Sequence, residues 1–319
     1  MSAELLAEIE PLIGKPSPPI TTLIELGAVR RFAEAVGEPL LLEDDGAPRV
    51  LPTFFEVIPY NRPPFPGDAD RHLINFGNTF TITRLPVVGD AITTRAAVTR
   101  ASRRGPLVSV DLECRYFDAS EALIGVGTVS WLIDVDGVLA DGSVGSPADR
   151  VSVDPASTSA WDAVDVSKLK PGDALPVLAK TPLTTAQFVR YAAASGDFNP
   201  VHYDKDYAQR AGFPHVIAPG LLKMAFFGQH VTLWAGRWGQ VRRIEAKYVG
   251  IDVPGAELTS VGTITEATVA EGRPTLTVAL SLCDRQGDVR TAGKATVEVK
   301  DAFRDEAIRG WHVQPPDAP

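Results

Sequence analysis

Cysteine is scarce in this 319-residue chain: only Cys114 and Cys283 are present. So few thiols exclude a disulfide framework and a cysteine-based metal site, and a reducing, cytoplasmic location is expected. Long apolar runs are also missing. The longest fall well short of the roughly 20 residues a spanning helix needs, so no membrane partner is expected. The first residues, Met1–Glu8, carry neither a basic region nor a long apolar one, so no secretory signal is expected. Positive charge is short as well. With 31 Lys and Arg against 40 Asp and Glu, the net charge of −9 argues against nucleic acid as a partner. It still leaves room for a local basic pocket. What is present is a 45% apolar share, enough for a sizeable core and, at this length, for two domains.

The chain is written twice. Gly89 and Gly255 stand 166 residues apart, and so do Ile92 and Leu258, Val98 and Ile264, Asp118 and Asp284, and Gly127 and Gly293. Each pair falls at the same place in a run of alternating strands. Upstream the offset is 159: Arg31–Gly37 lines up with Arg190–Gly196. A seven-residue change between helix and sheet is an ordinary loop insertion. Each half therefore reads as an entry strand, a helix, a loop, a second apolar segment and three to four strands of period two. Residues of about 137–160, rich in Gly, Ser, Asp, Ala and Pro, read as a linker. Beyond Asp301 a helical stub and a Pro-rich tail are expected.

In the second half, Thr184-x-x-Gln187 has the form of a capping box, opening a helix through Phe188, Tyr191 and Ala192. Another helix is expected from about Pro219 to Trp234, stopping near Gly236. It is apolar almost all round, so it must be buried. One buried helix wrapped by an antiparallel sheet makes an α+β unit.

Between these helices lies Ser195-Gly196-Asp197-Phe198-Asn199-Pro200-Val201-His202. It sets a carboxylate and an imidazole on one loop stiffened by proline. General acid/base chemistry needs two such groups within reach of one proton. Downstream, Ala218-Pro219-Gly220 opens the buried helix. A helix N-terminus offers unpaired N–H groups, and glycine admits a close approach. One such donor is typically worth about 3 kcal/mol to an oxyanionic transition state.

Asp197–His202, with Ile217-Ala218-Pro219-Gly220-Leu221-Leu222, resembles the hydratase-2 motif of the MaoC-like hydratases and dehydratases, a hot-dog-fold family. The resemblance covers residues 172–300 well and 10–135 weakly. It implies two tandem hot-dog domains packed as a double hot-dog. Residues 1–136 would form a degenerate, non-catalytic domain shaping an acyl pocket, and 137–171 a linker. Residues 172–301 would form the catalytic domain, and 302–319 a tail. It also implies reversible hydration of trans-2-enoyl thioesters to 3-hydroxyacyl thioesters, with CoA or acyl-carrier pantetheine belonging to the substrate and no cofactor or metal. Asp197 and His202 would activate one water, with either as the base. Gly220 N–H would polarise the thioester carbonyl, and Asn199 and Ser195 would support the loop. One departure is Pro219, where many members carry His. A homodimer of double-hot-dog chains is compatible with the resemblance.

The first half departs further. Its loop Gly37–Asp44 has Glu38 but no His, and Leu51-Pro52-Thr53-Phe54 replaces the glycine with Thr53. Pro59, Pro63, Pro64 and Pro66 would end its helix early. The shortened helix and the loop 61–76 are expected to open space for a long acyl chain. Arg237, Arg242, Arg243 and Lys247, or Arg100, Arg103 and Arg104, could hold phosphates or be solvated charges. Three competing readings stand beside the hydratase: a His202/Asp204/His215 metal set, a thioesterase on the same fold, and a non-catalytic acyl-binding protein. Against the thioesterase, no Asp or Glu lies between Gly220 and Gly236.

Overall fold

The computed structural model describes residues 2–38, 48–63, 72–134 and 164–311. The expected linker up to residue 163, the loop beyond Glu38, residues 64–71 and the tail from 312 lie outside the described residues.

The first half contains helix α1 (Ser2–Ile9), strand β1 (Ile20–Leu23), helix α2 (Leu26–Val36) and a short 3-10 helix, Pro52–Val57. Strands β2 (His72–Ile82), β3 (Ala91–Arg104), β4 (Leu107–Phe117) and β5 (Leu123–Asp134) follow. The second half repeats the plan. It has β6 (Leu178–Ala179), α3 (Thr185–Ser195), a short α4 (Lys205–Arg210) and a long α5 (Gly220–Ala235). Then come β7 (Gly239–Tyr248), β8 (Thr259–Ala270), β9 (Arg273–Cys283), β10 (Val289–Val299) and α6 (Asp301–Trp311).

The ten strands among the described residues form one antiparallel sheet, ordered β1-β3-β4-β5-β2-β7-β10-β9-β8-β6. Each half supplies five strands in the same internal order, and β2 pairs with β7 at the join, Gly77 opposite Lys247 through Thr81 opposite Arg243. The 166-residue offset is therefore structural. β3 is bulged between Val98 and Arg100, and β8 between Ile264 and Glu266. Asp118 Oδ1 accepts from the N–H groups of Ser120 and Ala122, and Asp284 Oδ1 from those of Gln286 and Asp288. Helices α2 and α3 both end on a left-handed glycine, Gly37 and Gly196. They lie side by side, and Phe32 meets its own counterpart, Tyr191, at 6.3 Å between ring centroids.

Thr184 caps α3 as expected, accepting from Gln187 N–H at 3.1 Å. The Gln187 side chain, however, does not turn back on the cap. It donates to Ala35 O at 3.0 Å and ties α3 to the orphan carbonyls of α2. At the other end of the second half, α6 is docked on residues 166–168: Trp311 is buried and its Nε1 donates to Val166 O at 3.0 Å. The end of the expected linker is thus built into the fold.

Helix α5 lies within one residue of its expected bounds and is buried along most of its length. It is less apolar than expected, because Lys223, Gln229, His230 and Thr232 are buried with it. Each long polar side chain is matched. Lys223 Nζ reaches Asp252 Oδ2 at 2.9 Å and Gly250 O at 2.7 Å, and Arg290 Nε holds the other Asp252 oxygen at 2.9 Å. Gln229 accepts from Lys180. His230 lies between Ser260 Oγ (2.7 Å, to Nδ1) and Pro176 O (2.8 Å, to Nε2). The carbonyl accepts only, so Nε2 carries the proton and Nδ1 takes the Ser260 hydroxyl. Where the second half has this sixteen-residue helix, the first half has the six-residue 3-10 turn Pro52–Val57, followed by Pro59. Among the described residues no helix is long and apolar enough to cross a membrane.

Burial lowers the pKa of His230 to about 4, against the pull of the Pro176 carbonyl. The unfolded chain binds this proton at an ordinary histidine pKa near 6.5, so between those values it holds more protons than the native state. Stability should therefore fall as pH drops from about 6.5 to 4, by on the order of 3 kcal/mol from this residue. Denaturant melts across that range should show the slope, and His230→Gln should flatten it by a comparable amount.

Candidate active site

The loop after α3 is shaped by its own polar groups. Gly196 takes φ 77°, a left-handed conformation that stops the helix and redirects the chain. Ser195 Oγ donates to Tyr191 O at 2.8 Å and accepts from Asp197 N–H at 3.2 Å. Asn199 Oδ1 accepts from Val201 N–H at 3.2 Å, capping the 3-10 turn Pro200–His202. Asn199 N–H in turn points at Asp197 Oδ1. Ser195 and Asn199 thus hold the loop from either side of Asp197.

His202 Nδ1 lies 2.8 Å from Ile217 O, and its Nε2 lies 3.5 Å from Asp197 Oδ2. The carbonyl requires the proton on Nδ1, so neutral His202 presents a lone pair at Nε2. A carboxylate oxygen and an imidazole lone pair then face each other at a separation too long for a direct hydrogen bond. A donor with two hydrogens, such as one water, satisfies both. Burial raises the Asp197 pKa, but whenever His202 is protonated its hydrogen bond and charge, with the Asn199 N–H, outweigh it, so beside the imidazolium the carboxyl lies below its ordinary range. The side chains of His202 and Asp197 keep 10% and 35% exposure.

Helix α5 begins at Gly220, and among the described residues its N–H has no hydrogen-bond partner. The glycine is required by its neighbour: a Cβ there would lie 2.8 Å from the Tyr248 ring. The preceding turn is anchored by Ala218 N–H on Asp252 O at 2.8 Å. The buried Lys223–Asp252–Arg290 cluster thereby fixes the helix start.

Ser195, Asp197, Asn199, His202 and Gly220 all line one cavity of about 770 Å³. The cavity continues into the first half, along Ile58, Leu73, Phe80, Val129 and Trp131. Sequence reasoning missed the polar groups on this wall. Glu56, Tyr60, Asn78 and Cys114 come from the first half, and Lys223 and Tyr248 from the second. Glu56 Oε1 accepts from Tyr191 OH at 2.6 Å, and its Oε2 has no partner among the described residues. Burial pushes this carboxyl well above the ordinary range despite the Tyr191 bond, and the Asp197 charge adds to the rise. The cavity therefore holds two carboxyls displaced in opposite directions. Glu56 was findable: it stands four residues after Pro52, as Lys223 does after Pro219.

Other expected residues lie elsewhere. Asp204 is the N-cap of α4, accepting from Tyr207 N–H. No three His, Cys, Asp or Glu converge among the described residues, so His202, Asp204 and His215 do not form the metal set. Arg242 pairs with Glu298 at 2.8 Å and Arg243 with Glu245 at 3.1 Å. Arg103 donates to Gly105 O, and Arg104 lies over Phe76. None of the seven basic residues considered for phosphates lines the cavity, whereas the exposed Arg62 does. Glu38 is buried and does not line it, and Thr53, in place of Gly220, packs against Gly228.

Residues 168–283 match the family model of the MaoC-like domain. No curated protein matches the sequence. Among solved structures, a MaoC-like dehydratase superposes with a TM-score of 0.72 at 21% identity, over 92% of this chain and 99% of that one. The full-length peroxisomal multifunctional enzyme type 2 from Drosophila melanogaster superposes with a TM-score of 0.62 at 18% identity, over 94% of this chain and 52% of that one. A Mycobacterium tuberculosis protein with a double hot-dog fold gives 0.61 at 15% identity, over 90% of this chain and 96% of that one. The chain thus has a double hot-dog fold, and residues 168–283 of its second half match the MaoC-like domain.

Proposed function

We propose that this chain is a hydro-lyase that hydrates trans-2-enoyl thioesters, and in reverse dehydrates (R)-3-hydroxyacyl thioesters. The observation that carries the reading is the pairing of two proton acceptors, Asp197 Oδ2 and His202 Nε2, at 3.5 Å on the cavity that also holds the unpaired Gly220 N–H. A water between the acceptors is oriented and polarised by both. Its oxygen adds to the β-carbon, and one of its protons passes through the pair to the α-carbon. Negative charge developing on the thioester oxygen is met by Gly220 N–H at the positive end of α5. Lys223 and Arg290 outnumber Asp252 beside that helix start, which adds to the positive field.

The first-half wall gives the acyl chain its place. The apolar residues of β2 and β5 line a chamber that the six-residue turn Pro52–Val57 leaves open. Pantetheine, from CoA or an acyl carrier, enters as part of the substrate. In α5 the buried charge is Lys223, not a carboxylate, which favours hydration over hydrolysis of the thioester.

Three outcomes are expected with a panel of trans-2-enoyl-CoA substrates from C4 upward, followed by loss of enoyl absorbance. Asp197→Asn and His202→Ala should each lower kcat by roughly 10²- to 10⁴-fold. Wild-type rates in both, or release of free thiol by the wild type, would refute the assignment. Gly220→Ala should lower kcat by about 10²-fold, because the new methyl meets Tyr248 and displaces the N–H donor. Val129→Phe, which fills the chamber, should cut kcat/KM at least tenfold for long chains and spare C4. Equal loss at every length would place the acyl chain elsewhere.

A further inference from the structure

The first-half wall of the cavity is not wholly apolar, and the amide of one of its residues is left unanswered among the described residues. Asn78 lies on β2, paired with Val129 of β5 on one side and Ala246 of β7 on the other. It is 3% exposed. Its Oδ1 accepts from Tyr248 OH at 2.8 Å, and its Nδ2 has no partner among the described residues. The orientation of the amide follows from Tyr248, whose hydroxyl needs an acceptor and finds it in Asn78 Oδ1. That bond turns the NH₂ group away from Tyr248.

An interior amide normally has both ends satisfied, and leaving a donor unpaired is costly enough that a leucine would serve better in a purely apolar wall. Asn78 lies between apolar cavity residues, with Phe80 two positions along the same strand. Its position is close to the chemistry as well. The Tyr248 ring that orients it is the ring lying against Gly220. The missing acceptor is therefore best supplied by what fills the cavity.

We propose that Asn78 is a substrate-contacting residue whose Nδ2 donates a hydrogen bond to an oxygen of the bound acyl thioester. The first half then takes part in recognition by a polar contact, in addition to housing the chain. The inference rests on the proposed hydratase reading for the identity of its ligand. Two oxygens share the required chemistry: the thioester carbonyl and a hydroxyl or keto oxygen farther along the acyl chain.

The test compares wild type, Asn78→Leu, Asn78→Asp and Tyr248→Phe on plain trans-2-enoyl-CoA and on enoyl-CoA of equal length bearing a chain hydroxyl. A contact to the carbonyl lowers kcat at least tenfold on both substrates in Asn78→Leu, with KM little changed. A contact to a chain oxygen leaves the plain substrate unaffected and removes a preference of at least tenfold for the hydroxylated one. Tyr248→Phe, which frees the amide to turn, should move the same constant by a smaller factor. Asn78→Asp keeps an acceptor for Tyr248 but loses the donor, so it should follow Asn78→Leu and stands in for it if the leucine variant does not fold. Constants within twofold of wild type on both substrates would overturn the proposal and leave only an ordered water on Nδ2. Calorimetric titration of the same variants with saturated and hydroxylated acyl-CoA separates this inference from the hydratase reading. If wild type turns over no enoyl thioester, that reading falls. The contact then stands if Asn78→Leu weakens binding at least fivefold, and falls if Kd is unchanged.

Discussion

The pairing of β2 with β7 is the interaction on which the rest of the structure depends. Five residues of each strand, Gly77–Thr81 and Arg243–Lys247, join two five-stranded sheets into one. The join leaves neither half with an open edge at its centre, where an unpaired strand would invite association. It also makes one surface of the two inner faces, so α5 of the second half and the short turn of the first lie against a common sheet. Tyr248, at the end of β7, is carried by this pairing into reach of both Gly220 and Asn78.

The two halves are equal in sheet and unequal in what the sheet covers. Bulges, Asp turns and helix ends recur at matching positions, so the scaffold has been kept twice. The difference lies after the prolines Pro52 and Pro219. One is followed by a six-residue turn and the other by a sixteen-residue helix. The cavity reaches into the first half beside that short turn, along Ile58, Leu73 and Val129. The fourth residue after each proline is an ionisable group in both, buried in Lys223 and half-buried in Glu56. Lys223 is neutralised by a carboxylate and fixes the helix start, whereas Glu56, its carboxyl pushed upward by burial against the Tyr191 bond, faces the cavity. One position thus serves rigidity in one half and cavity polarity in the other.

Much of this was legible in the sequence, because repetition and local chemistry leave local signatures. The 166-residue offset located the strands, the Thr184 cap located α3, and the long apolar run after Pro219 located α5 within one residue of each end. The residues of the Asp197–His202 loop could be named because their geometry is set by near neighbours: Ser195, Gly196 and Asn199 bond within the loop itself. What was hidden depends on partners far away in the chain. Gln187 reads as half of a capping box but bonds Ala35 on another helix. Lys223 is an oddity in an apolar helix until Asp252 is seen beside it. Asn78 and Tyr248 are ordinary strand residues until β2 and β7 are placed side by side. The arginines suggested a phosphate site by clustering in sequence, yet on strands, clustering spreads alternate side chains to opposite faces.

The contact of Phe32 with Tyr191, each the other's counterpart in the repeat, has an evolutionary consequence. Residues that meet their own equivalents lie on a pseudo-twofold axis, and a twofold axis is what two identical single-unit chains would share in a dimer. In such a dimer every substitution appears twice, so a change that truncates one central helix truncates both. Joining the two copies in one gene removes that coupling. One copy becomes free to lose its helix and become hollow while the other keeps its Asp197–His202 loop, an asymmetry closed to a symmetric dimer.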